Sequence, residues 1–185
     1  MRTRSKLATL ALSTGMALVG IAGAVVPAQA VTPGDTIATF TITAGALAVT
    51  VPASTVAINT GTVNAGAATA SGQLGSVTVA DTRGALLNNW TATVSSTTFV
   101  TGGASTAETV AVNQIAYSSG AATASSGLGA FVPGTLANGS LPGTAGTHTA
   151  FAGNSSTTWN PTLTFTLLSS QVAGTYTGTV THSVA

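Results

Sequence analysis

The chain has 185 residues, no cysteine, and only 4% charged residues against 44% hydrophobic ones, with a formal net charge of +1. This composition excludes a disulfide framework and the clustered basic footprint of a nucleic-acid binder. Fair hydrophobicity with low net charge is the reverse of the disorder signature, and β-branched threonine supplies much of the polar half of the pattern, so an ordered, Thr-rich, all-β domain is expected.

Three of the four basic residues, Arg2, Arg4 and Lys6, precede an uncharged run from Leu7 to Val26. Pro27 and Ala28-Gln29-Ala30 follow. A basic start, an apolar middle and an Ala-x-Ala end describe a secretory signal peptide, with cleavage expected after Ala30. An N-terminal anchor is the rival reading, because the run approaches the ~20 residues that span a bilayer. Ser13, Thr14, three glycines and Pro27 favour cleavage. Arg2 and Arg4 are not adjacent, which favours general secretion over a twin-arginine route. The expected organisation is a signal peptide over 1–30 and a single β-rich extracellular domain over 31–185, with no membrane span in the mature chain. That domain keeps Arg83 against Asp35, Asp81 and Glu108, a formal charge of −2. No nucleic-acid partner is expected of it.

In chain order, Phe40 and Ile42 alternate with Thr39, Thr41 and Thr43, which predicts a strand over 36–43. Leu47, Val49 and Val51 predict a second strand that Pro52 ends, and Val56 with Ile58 a short third. Residues 59–75 are rich in Ala, Gly and Thr and read as a loop or weak edge strand. Val77 and Val79 predict a strand running into Asp81, and Asp81-Thr82-Arg83-Gly84 is a turn signal. Trp90, Ala92 and Val94 then share one strand face, with Thr91, Thr93 and Ser95 on the other. Residues 109–117 read as one more strand. Residues 118–158 hold sparse anchors (Phe131, Leu136, Leu141, Phe151), so short strands are expected near 130–132 and 148–152. Leu163, Phe165 and Leu167 predict a strand after Trp159-Asn-Pro161, and Tyr176, Gly178, Val180, His182 and Val184 share one parity at the end. Short strands with Gly- or Pro-rich breaks predict a single antiparallel β-sandwich or barrel-like domain. Trp90, Trp159, Phe40, Phe99, Phe165 and Tyr176 are its expected core fillers.

Little in the chain has the spacing of a catalytic set. Asp81 and Arg83, two apart, suit either an ion pair or Asx-type turn that fixes the chain, or recognition of a wall-peptide amide or carboxylate; the structural pair is favoured. His148 and His182 are the only histidines, and with dispersed acids they make a poor metal set, so no metal or cofactor is expected. No Gly-x-Ser-x-Gly elbow accompanies the many serines, and Glu108 with Asp81 as a glycosidase pair has no motif behind it. Catalysis is therefore not expected. Leu141-Pro-Gly-Thr-Ala145 resembles a sortase signal but lacks its final Gly and a following apolar span. Asn89, Asn138 and Asn154 open glycosylation triplets. Trp90 and Tyr176 suit a sugar-stacking platform or, more in keeping with their alternation, a core.

Gly75–Val79, Asp81-Thr82-Arg83-Gly84, Trp90-Thr-Ala-Thr-Val94, Phe99 and the run from Gly174 to Val184 together resemble the WxL-domain family of Gram-positive surface proteins. Tyr176, Val180, Thr181 and Val184 keep the distal pattern; His182 stands where that family has a tryptophan, and Ala92 where it has leucine. The resemblance implies a secreted β-rich domain held non-covalently on peptidoglycan, or in contact with surface proteins, with Trp90, Tyr176 and His182 as wall contacts if they form an exposed patch. A self-associating surface-layer or fibre subunit is the alternative, because Thr-rich strands with few charges leave edges open to pairing.

Overall fold

The computed structural model describes residues 38–52, 63–149 and 152–185. The signal segment, its cleavage point after Ala30, the strand expected at Val56 and Ile58, and Phe151 all lie outside the described residues. Thr41–Ala185 is one compact unit, and it is all-β. Among the described residues no helix is long and apolar enough to cross a membrane.

Among the described residues fourteen short strands appear in chain order. They are β1 (Leu47–Thr50), β2 (Thr69–Gln73), β3 (Val77–Asp81), β4 (Trp90–Ser96), β5 (Phe99–Val100), β6 (Thr109–Val110) and β7 (Ile115–Ser118), followed by β8 (Ala122–Ser126), β9 (Ala130–Pro133), β10 (Thr135–Leu136), β11 (Gly143–Thr149), β12 (Ser155–Trp159), β13 (Thr162–Thr166) and β14 (Val180–Val184). They form antiparallel sheets ordered β1-β3-β12-β8, β10-β7-β13-β2 and β14-β4-β11-β9, with a small β5-β6 pair. The sheets pack together like a sandwich and close no barrel.

The period of two explains which side chains fill the space between sheets. Val77, Val79 and Asp81 of β3 point inward, as do Trp90, Ala92 and Val94 of β4 and Leu163 and Phe165 of β13. On β12 the inward set is Ser155, Thr157 and Trp159, so half of that face is hydroxyl. Apart from the β5-β6 pair, consecutive strands change sheets. β12 passes to β13 through Asn160-Pro161, whose corner is tied down by Asn160 Oδ1 accepting from the Gly75 N–H at 3.1 Å and Asn160 Nδ2 donating to Gln73 at 2.9 Å. The β3–β4 connection likewise carries the chain from the first sheet to the third.

Several expectations change. Residues 38–46 form no strand, and Phe40 is 88% exposed, so it fills no core. The alternation at Phe40 and Ile42 meets no partner strand among the described residues, and a lone strand leaves its backbone donors and acceptors to water. The run over 109–117 breaks in two, because Gln114 Oε1 accepts from the Ala111 N–H at 2.9 Å and closes a 3-10 turn over Val112–Gln114. The strand expected near 148–152 lies earlier, over Gly143–Thr149, while β8 and β12 went unread. β2 is an edge strand beside β13, and β9 covers Ala130–Pro133. Leu141 is buried and Gly143 opens β11, so the sortase-like pentapeptide is part of the folded body.

Candidate functional site

Two polar clusters occupy the interior, joined by stacked rings. The first lies where β3 ends and β4 begins. Asp81 is fully buried at the end of β3, opposite Leu47 on one side and Ser155 on the other. Its carboxylate accepts from Arg83 Nε at 3.0 Å, from Arg83 Nη2 at 2.7 Å and from the Arg83 backbone N–H at 3.0 Å. Arg83 Nη2 also donates to the Asn89 carbonyl at 3.1 Å, so the guanidinium fastens the start of β4 to the end of β3. The side-chain bonds from Arg83 hold the Asp81 carboxyl below its ordinary value, against the opposing effect of burial, and Asp81 in turn raises Arg83.

His148, buried on β11, stacks on Trp90 with centroids 5.2 Å apart and planes 6° off parallel. Desolvation lowers its pKa, and the nearby Asp81 charge offsets this in part. His148 Nδ1, Ser155 Oγ and Thr157 Oγ1 are buried without a hydrogen-bond partner among the described residues. A Ser, a His and an Asp therefore lie close together, but they do not form a hydrolytic triad. A triad needs its base bonded to the nucleophile and its acid bonded to the base. Ser155 Oγ touches no base, and Asp81 is bonded by Arg83 at both oxygens.

The rings continue inward. Trp90 lies 6.3 Å from Trp159, and Phe131 of β9 lies 5.1 Å from Trp159 and 6.1 Å from Trp90. Gly146 makes room for Phe131: a Cβ there would sit 2.6 Å from the ring's Cζ. A register shift in β11 between Thr144 and Gly146 lets both Ala145 and Gly146 face inward.

The second cluster crosses all three sheets. Trp159 Nε1 of β12 donates to Tyr117 Oη of β7 at 3.1 Å, and Tyr117 Oη lies 3.1 Å from His182 Nε2 of β14. Burial pushes the Tyr117 hydroxyl up to about 12 and His182 down to about 4.

Trp90, Tyr176 and His182 do not form an exposed patch. Trp90 is 3% exposed, and its ring is sandwiched between core partners. His182 is half-buried opposite Val94 and meets Trp159, which links it to the Trp90 stack. Tyr176 sits apart, beyond the far end of β4, where its hydroxyl is placed on the Val172 carbonyl at 2.8 Å and the Ala107 carbonyl at 3.2 Å. The notion of wall contact through these three rings is thus corrected: burial withdraws Trp90, and backbone bonding occupies Tyr176. Sequence reasoning singles out His182 and names Trp159 only as a core filler, without joining either to Tyr117. Tyr117 shares the parity of Ile115, and Trp159 ends a Ser-Thr-Trp inward row, which are the signals that could have found them.

What faces outward is hydroxyl. On the third sheet, Thr93 of β4 pairs with Ser183 of β14 and Thr144 of β11, and Thr91 pairs with Thr147. Thr91, Thr93, Thr144, Thr181 and Ser183 are exposed. Among the described residues no cluster of His, Asp and Glu could hold a metal ion. Comparison of the chain with family models, with curated proteins and with solved structures found no match to any of them.

Proposed function

We propose that this chain is an exported, non-catalytic cell-surface protein that binds peptidoglycan non-covalently, through the neutral hydroxyl face of its third sheet rather than through aromatic rings. The WxL resemblance of its motifs motivates the class. The observation that carries the choice of surface is the pairing of Thr91, Thr93, Thr144, Thr181 and Ser183 on one exposed, charge-free face. Hydroxyls on a pleated face repeat about every 7 Å along a strand and about 4.8 Å across strands. Such a grid offers both donors and acceptors to the hydroxyls and amides of a glycan strand. With no charge on the face, binding should persist at high salt, since screening acts on ionic contacts. Residues 31–185 should co-sediment with purified sacculi equally at low and high salt, and Thr93→Lys with Thr181→Lys should abolish this while the protein stays folded. Sedimentation unchanged in the double variant would reject this face.

A second reading, self-association into a layer or fibre, is favoured by the sheet edges. Among the described residues β8 and β2 each have one neighbour, β12 and β13, and neither carries a charged residue or a proline. Unprotected edges of this kind pair readily between copies. Light scattering that shows only monomer at high concentration would count against it.

A further inference from the structure

One arrangement of the Trp159–Tyr117–His182 chain gives each of its shared protons an acceptor. An indole N–H only donates. Tyr117 Oη therefore accepts from Trp159, and its own proton is left for His182 Nε2, the remaining partner of that hydroxyl among the described residues. In that arrangement His182 is neutral, with its ring proton on Nδ1. A protonated imidazole donates from both nitrogens; it cannot accept from Tyr117 and can only donate to an oxygen that already accepts from Trp159, which leaves the buried phenol proton without its acceptor.

The strand that carries His182 is the least anchored part of this arrangement. β14 is an edge strand whose one neighbour in its sheet is β4. Its inward residues, Val180, His182 and Val184, are only half-buried, whereas those of β4 opposite are buried. Elements with few buried apolar contacts open at the lowest free energy. The side chains that meet His182 are uncharged: Tyr117 from β7 and Trp159 from β12, with Val94 opposite it on β4. The ionised groups are elsewhere. Asp81 is bonded to Arg83 at the start of β4, with His148 stacked on Trp90 beside it, and Glu108 accepts from the Ser105 backbone N–H in an exposed turn. Ala185 follows Val184 with the outward parity of Thr181 and Ser183. Among the described residues no side-chain carboxylate thus stands ready to offset an imidazolium at position 182.

We propose that His182 is an acid-operated latch: on protonation it loses the bond from Tyr117, and β14 swings free of the sandwich while the rest of the fold holds. Opening uncovers the unpaired edge of β4 and the Tyr117–Trp159 pair, a surface absent at neutral pH. The latch does not depend on what the outer faces bind.

The test is peptide-resolved hydrogen exchange on residues 180–184, referenced to residues 77–81 at the same pH, together with tryptophan fluorescence, between pH 7 and pH 3. In the wild type, protection of 180–184 relative to 77–81 should fall at least tenfold on acidification, with a midpoint near pH 4. His182→Gln, neutral at every pH, should keep its protection throughout. Tyr117→Phe removes the bond to neutral His182 but keeps the ring, so the transition should move to higher pH; it serves in place of His182→Gln if that variant does not fold. Asp81→Asn should leave the β14 response in place. Retained protection in the wild type at pH 3.5, equal loss at 77–81, an equal transition in His182→Gln, or an unmoved midpoint in Tyr117→Phe would each overturn the latch.

Discussion

At the scale of single residues, the interior spends its few ionisable groups on fastening strands. Asp81 is fully buried while its partner's side chain is 35% exposed, so the pair is only partly shielded from solvent. Asp81→Asn should cost about 1–3 kcal/mol by urea denaturation at pH 7, below the full effect of breaking a buried pair because water screens Arg83. Trp90→Ala should cost about 3–5 kcal/mol, since it empties a space lined by His148, Phe131 and Trp159. A Trp90→Ala protein of unchanged stability with weaker wall binding would restore that ring as a surface contact.

At the scale of elements, the legible strands are those whose inward residues are large. Val77 and Val79, Trp90 and Val94, and Leu163 and Phe165 stand out against their threonines, and their alternation reads as strand. β12 hides because Ser155 and Thr157 face the core with the same chemistry that Ser156 and Thr158 show outside. β8 hides because Ala122–Ser126 has nothing large on either side. The alternation at Phe40 and Ile42 misleads because periodicity reports a capacity to pair, not the presence of a partner. The polar clusters were less legible still: Asp81 and Arg83 are near neighbours in sequence, but Tyr117, Trp159 and His182 meet only through three different sheets. Close approach between elements also rests on small residues. Gly146→Ala should push Phe131 off the tryptophan stack and cost about 1–3 kcal/mol, visible as a lower Tm and altered near-UV dichroism.

At the scale of the whole molecule, acid acts through groups that all favour the folded state when they have lost their protons. His182 and His148 are held below their ordinary value of 6.5 by burial, His182 at about 4. Their neutral forms therefore stabilise the fold fully above pH 6.5, and each contribution is lost as pH falls through that group's lowered pKa, for His182 about 4. Asp81 is held below its ordinary value of 3.8, so its contribution is present above that pH and drains away at still lower pH. Thermal denaturation should show a flat Tm above about pH 6.5 and a decline below it that begins with the histidines. His182→Gln should shorten the first part of the decline and Asp81→Asn the last. Association through sheet edges belongs to this scale too. Ser125→Lys on β8 should suppress any self-association while changing stability by no more than about 0.5 kcal/mol, because the side chain is exposed.

The pairing of Arg83 with Asp81 bears as well on how the folded chain meets proteases. Beyond Lys6, Arg83 is the one site in the sequence after which a trypsin-like protease could cut. Such an enzyme must take a basic side chain into its own acidic pocket, and this guanidinium is already held by a buried carboxylate and a backbone carbonyl. Among the described residues Arg83 is the one basic side chain, so the folded body presents proteases of that specificity with a single bond, cleavable only when the β3–β4 corner opens. Cleavage after Arg83 would therefore report how often that corner comes undone, and Asp81→Asn would speed it.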